Sequence, residues 1–138
     1  MDRVLIAEKL EALRYCIARV AERCPSELVK LEGSADLQDI VVLNLTRSIQ
    51  LCVDIASHII AASDEAAPTT MSEALNKLAQ LRIIDARLAN ELTKAVGFRN
   101  IAVHNYEQVD WKIVYEICNT RLDDFRQYAS AISKLVEG

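Results

Sequence analysis

Ile6, Leu10, Leu13, Ile17 and Val20 recur at alternating steps of four and three. At about 100° per residue, that spacing puts all five on one side of a helix and on neither face of a strand. Little in the chain interrupts such helices: it has three glycines and two prolines among 138 residues, while Leu, Ala, Ile, Glu, Lys and Arg are abundant. Hairpins and tight turns need more glycine and proline than this, so the expected fold is all-α. With 51% hydrophobic and 26% charged residues, the chain can bury a sizeable core as one domain spanning residues 1–138.

The periodicity divides the chain into an antiparallel bundle of four long helices and one short one. The first helix runs from about residue 2 to 23 and is stopped by Pro25, with a short turn between Ser26 and Gly33. The second starts near Ser34 or Asp36 and reaches about Ala62. Ser63 to Thr70 is a loop, and Thr70-Met71-Ser72-Glu73 has the form of a capping box opening a short third helix to about Leu81. Asp85 caps a fourth helix whose stripe Leu88, Leu92, Ala95 runs toward Ala102. Asp110 caps a fifth, in which Trp111, Val114, Cys118, Leu122, Phe125, Ala129, Ile132 and Val136 form one continuous stripe.

Several function classes drop out. Cys16, Cys24, Cys52 and Cys118 are scattered over apolar helical positions, and read as small buried hydrophobes in a reducing cytoplasm rather than zinc ligands or disulfides. Charged residues from Asp2 to Glu11 break any signal-peptide core, and no apolar run approaches the roughly 20 residues that cross a bilayer, so a cytoplasmic protein with no membrane partner is expected. A net charge of −4 gives no overall attraction to nucleic acid, so any such site must be local. Isolated glycines exclude phosphate-binding glycine loops, and the Asp123-Asp124 pair reads as a solvated helix face.

Two polar features contradict the apolar pattern. On the second helix, apolar on more than one side, Asn44, Arg47, Asp54 and His58 fall within an arc of about 80°. Such an arc is either a buried Arg47–Asp54 pair with Asn44 and His58 bonded to backbone, or the lining or bracing of a wet cleft. On the fourth helix, four residues past Ala95 lands on Arg99, which aims a guanidinium inward. It needs a carboxylate, for which Asp54 is the obvious partner, or a bound phosphate. His104 follows five residues later, about 140° around, so the two share a face only if the helix ends or deforms between them. Asn105 tolerates turn conformations and fits an ending there, which would leave His104 at a helix C-terminus.

Arginine offers paired donors to a phosphate, and an imidazole exchanges protons near neutral pH. Together they suit RNA cleavage. His104 would deprotonate a ribose 2′-hydroxyl or protonate the departing 5′-oxygen, while Arg99 stabilises the phosphorane-like transition state, with no metal or cofactor required. The spacing of one arginine and one histidine is a weak signal by itself, and a histidine that only bonds a helix end remains an alternative.

The wider context adds more. Gly97-Phe98-Arg99-Asn100-Ile101-Ala102-Val103-His104-Asn105-Tyr106, together with Ile49-Gln50-Leu51-Cys52-Val53-Asp54-Ile55-Ala56-Ser57-His58-Ile59-Ile60, resembles HEPN-domain proteins of the HepT toxin branch over nearly the whole chain. The resemblance implies a HEPN helical bundle, a homodimer, and a metal-independent endoribonuclease with Arg99 and His104 as active residues. It further implies the toxin of a type VII toxin–antitoxin pair, whose minimal nucleotidyltransferase (MNT) antitoxin transfers AMP to Tyr106. A modified tyrosine there would bring bulk and negative charge into the phosphate site. Dimerisation has a physical reading too, since one chain supplies one motif histidine whereas cleavage uses an acid and a base. A non-catalytic HEPN module binding a nucleotide or a partner protein is the alternative function, and a purely structural bundle a third.

Overall fold

Five of the seven helices of the computed structural model, which describes residues 1–138, open where a side-chain oxygen accepts from a free N–H of the first turn. Asp2 accepts from Leu5 N at 3.0 Å and starts α1 (Arg3–Arg23). A one-turn helix, α2 (Leu28–Glu32), occupies the turn expected after Pro25. Ser34 accepts from Leu37 N at 3.2 Å and opens α3 (Ala35–Ala61). Thr70 caps α4 (Met71–Gln80) through Glu73 N, but the return arm of the box lands one residue early, the Glu73 carboxylate bonding Thr69. Asp85 caps α5 (Ala86–His104) and Asp110 caps α6 (Trp111–Glu116), followed by α7 (Leu122–Glu137).

The fifth expected helix is therefore not continuous. Its apolar stripe survives, but a π turn at Ile117–Arg121 separates α6 from α7. Asn119 Nδ2 donates to Tyr115 O at 2.8 Å and Thr120 Oγ1 to Glu116 O at 2.7 Å. Both side chains thereby bond the carbonyls that a regular i−4 ladder would use, which favours a widened turn. Between α4 and α5, Arg82 takes the left-handed conformation at φ 61°, and Ile83 N bonds back to Leu78 O at 2.9 Å, closing α4 in a Schellman-like turn.

α3 is the centre of the bundle. α1 packs along it in antiparallel fashion, α5 and α4 lie against it, and α7 closes the ring against α1 and α5. That α6 and α7 also run antiparallel to α1 is visible in single contacts: Arg3 Nη1 reaches Val136 O at 2.9 Å at one end of the bundle, and the Tyr115 hydroxyl reaches Ser26 O at 2.7 Å at the other. The core runs through Ile6, Leu13, Leu45, Ile49, Ile55, Leu75 and Phe125. α3 also corrects the membrane argument, because an 18-residue window of it reaches a mean hydropathy of 1.4 and is long and apolar enough to cross a bilayer. In the bundle 56% of that window is buried, as befits a core helix.

Polar groups inside are satisfied locally. Asn44 donates to Ile40 O and Ser48 to Asn44 O, both at 2.8 Å, and the hydroxyl of the fully buried Tyr128 ties α7 to α3 through Cys52 O at 2.6 Å. Cys16, Cys52 and Cys118 are buried and Cys24 partly so. Asp123 and Asp124 part company: Asp123 is exposed, whereas Asp124 is buried and paired with Arg87 at 3.3 Å, so the pair is not a uniformly solvated face. In denaturant titrations Leu45→Ala is expected to cost about 2–5 kcal/mol through the cavity it leaves. Tyr128→Phe should cost about 0.5–1.5 kcal/mol through the lost hydrogen bond.

Candidate active site

α5 stays helical through His104 and ends at Asn105, whose φ of −153° and ψ of 65° leave the helix while its N–H still bonds Ile101 O at 2.8 Å. The expected break between Arg99 and His104 therefore does not occur. In a regular helix the two side chains stand about 140° apart and about 7.5 Å along the axis. They share one end of the bundle but not one face of α5.

Arg99 continues the inner stripe of Leu88 and Leu92 and is half-buried, yet its only hydrogen bond is Nη1 to Asn100 Oδ1 at 3.2 Å. Neither Arg99 nor Arg47 belongs to an ion pair. A partly desolvated guanidinium without a carboxylate keeps its donors for an incoming anion. His104 is exposed on the last turn of α5.

Tyr106 opens a short 3₁₀ turn (Tyr106–Gln108) directly after Asn105. Its ring meets the edge of Trp111 at a centroid distance of 6.0 Å, and its hydroxyl donates to Asp39 Oδ1 on α3 at 2.8 Å. Partial burial first, then the hydrogen bond and negative charge of Asp39, push the phenol up to about 12 from its usual 10.0. Around this end lie apolar side chains with no cover, Ile101 at 47%, Val103 at 51% and Leu43 at 55% exposed.

The polar arc on α3 is not one site. Asn44 is buried and spent on its own helix, while Arg47 is exposed. Asp54 pairs neither with Arg47 nor with Arg99. It accepts from Gln50 at 2.9 Å and meets Lys9 of α1 at 3.8 Å. Asp54 and exposed His58 line a shallow groove against Lys9, about 22 and 28 Å along α3 from Asp39. Of the arc, Arg47 alone is both exposed and within about 12 Å of Asp39 along the axis. A separate cavity of about 260 Å³, lined by Glu91, Ala95, Phe98, Ile117, Arg121 and Asp124, includes none of Arg99, His104 and Tyr106.

Asp39 is the site residue that sequence reasoning missed. It belongs to no motif and lies 67 residues from its partner. The bond has a pH signature: the phenol's folded-state value exceeds its unfolded one, so the bonded, protonated form contributes stability that is full below about pH 10 and fades toward pH 12. In a spectrophotometric titration, the difference between wild type and Tyr106→Phe should show phenolate half-formed near pH 12, moving toward 10 in Asp39→Asn. A wild-type midpoint at 10 would contradict the contact.

Known proteins share this fold. The family model for ribonuclease HepT-like proteins matches residues 13–132. The mRNA nuclease HepT of Shewanella oneidensis is 34% identical over 128 residues, 93% of this chain and 96% of that one. The tRNA nuclease HepT of Aphanizomenon flos-aquae is 27% identical over 133 residues, 96% and 90% of the two chains. Among solved structures, the tri-AMPylated Shewanella oneidensis HEPN toxin in complex with its MNT antitoxin superposes with a TM-score of 0.88 at 33% identity, covering 97% of this chain and 98% of that one. A toxin–antitoxin complex with AMP-PNP gives the same TM-score at 32% identity, over 94% and 97%. An inward arginine, a helix-end histidine and an adjacent tyrosine thus stand on a helical frame shared with these nucleases, and the chain belongs to the ribonuclease HepT-like family.

Proposed function

We propose that this chain is the toxin of a type VII HEPN/MNT pair, a cytoplasmic endoribonuclease that a nucleotidyltransferase antitoxin silences by attaching AMP to Tyr106. The observation that carries the reading is the half-buried, unpaired Arg99 at the same bundle end as exposed His104 and half-exposed Tyr106. Arg99 holds the scissile phosphate and stabilises charge as it becomes five-coordinate. His104 takes the proton of the ribose 2′-hydroxyl, which attacks the adjacent phosphorus. The 5′-oxygen then leaves with a proton, so the products end in a 2′,3′-cyclic phosphate and a 5′-hydroxyl.

That scheme needs an acid as well as a base, and one chain offers one motif histidine. A two-fold homodimer supplies the second. Val103 supports it, because it lies about 40° from Arg99 on the phase that is buried earlier in α5, yet is half exposed. An inner apolar stripe that outruns its own bundle is a surface for another copy. The two-fold brings together two Arg99 and two Arg47 side chains, a local positive field on an acidic chain.

Attachment of AMP to Tyr106, two residues past His104, places a phosphodiester anion where RNA phosphate binds and occupies Arg99. RNA cleavage in EDTA should persist in wild type and fall about 10²–10³-fold in Arg99→Ala and in His104→Ala. Growth arrest on expression should be lost with it. Equal cleavage by all three proteins would overturn the catalytic assignment and favour a binding module. Light scattering at micromolar concentration should give a dimer, and a monomer would count against the shared site.

A further inference from the structure

Of the four tyrosines, Tyr106 is the one whose hydroxyl bonds a carboxylate. Tyr115 and Tyr128 donate to the backbone carbonyls of Ser26 and Cys52, acceptors that hold a ring in place and have no capacity to take its proton. Asp39 is different in each respect that matters. It is exposed, it belongs to no ion pair, and Tyr106 is its one side-chain hydrogen-bond partner. Its oxygen stands 2.8 Å from the phenolic oxygen, inside the range at which a general base works.

We propose that Asp39 is the general base of the toxin's own modification: the substrate tyrosine carries its proton acceptor on α3. The inference rests on Tyr106 being the AMP acceptor. A nucleoside triphosphate delivered by the nucleotidyltransferase is attacked at its α-phosphorus by the Tyr106 oxygen. The O–P bond forms as the bond from the α-phosphorus to the bridging oxygen breaks, pyrophosphate leaves with that electron pair, and the phenolic proton passes to the Asp39 carboxylate and on to solvent.

Such a base is needed because the phenol, held up to about 12, is ionised in only about one molecule in 10⁵ at pH 7. Preformed phenolate is therefore too scarce to be the nucleophile, and proton removal during attack replaces it. Accessibility agrees, since Tyr106 is 39% exposed with Asp39 beside it at the surface. Asp39 thus takes part in silencing, while cleavage is assigned to Arg99 and His104.

The test follows AMP incorporation by intact mass, with the full chain, a minimal nucleotidyltransferase antitoxin of the family, ATP and Mg²⁺. Asp39→Asn keeps an oxygen that accepts the tyrosine's hydrogen bond but removes its basicity. It should melt with wild type and lower kcat for AMP transfer about 100-fold or more, with KM for ATP changed less than about twofold. Asp39→Glu, which restores a carboxylate, should recover part of the rate. AMP transfer to Asp39→Asn at the wild-type kcat, or a loss confined to KM, would overturn the assignment, as would Asp39→Glu being no faster than Asp39→Asn. Failure of the underlying reading is distinct: wild type would gain no AMP, or Tyr106→Phe would still be labelled.

Discussion

A helix of 27 residues that is apolar around most of its girth cannot stay at a surface, and the rest of the bundle follows from covering α3. Each buried Leu, Ile or Val on it contributes roughly 1.5–3 kcal/mol relative to exposure, so α1, α4, α5 and α7 all take places against it. One strip remains uncovered, and it carries Asp39, Leu43, Arg47 and His58. The packing of α5 against α3 then brings the segment after His104 back over the first turns of α3, where Tyr106 finds Asp39. A demand for burial along the whole length of α3 thereby decides which acid meets which phenol.

The charges at that end are arranged in opposition. Arg99 has no acid partner, and Asp39 no cation. Tyr106, seven residues past Arg99, is bonded to Asp39 and neutral while unmodified. On the proposed reading, AMP replaces the donated proton with a phosphodiester. The same carboxylate that held the ring then repels it, while the nearby guanidinium attracts it. Silencing needs no change of fold on this account, only the transfer of one side chain from an acid to a base.

The helices and their caps were legible because both are local. A stripe at steps of three and four marks each helix, and Ser34, Thr70, Asp85 and Asp110 cap where a side chain reaches the N–H groups two or three residues ahead. The π turn was hidden, because the stripe around Cys118 keeps its helical steps while Asn119 and Thr120 disturb the backbone ladder beneath. Partners across helices were hidden too. Phase on α3 groups Asp54 with Arg47, but Lys9 of the neighbouring α1 reaches Asp54 instead. Asp123 and Asp124, one residue and about 100° apart, fall on opposite sides of the boundary between water and core. Asp39 had no local signal at all, since its importance arises from a contact across 67 residues.

The regularity of α5 sharpens what the motif means. A break between Arg99 and His104 would have let one chain present both groups to one phosphate from one face. An unbroken helix points the arginine along the buried phase and the histidine about 140° away. For the proposed cleavage, two routes would bring them to a common substrate: a nucleotide wrapped around the helix end, or a second copy whose histidine faces the first copy's arginine. Val103 favours the second, because it continues the buried phase within about 40° of Arg99 and is left half exposed in a single chain. On the proposed reading, the uncovered end of the apolar stripe and the need for a second imidazole point to the same partner, another copy of the chain at the C-terminus of α5.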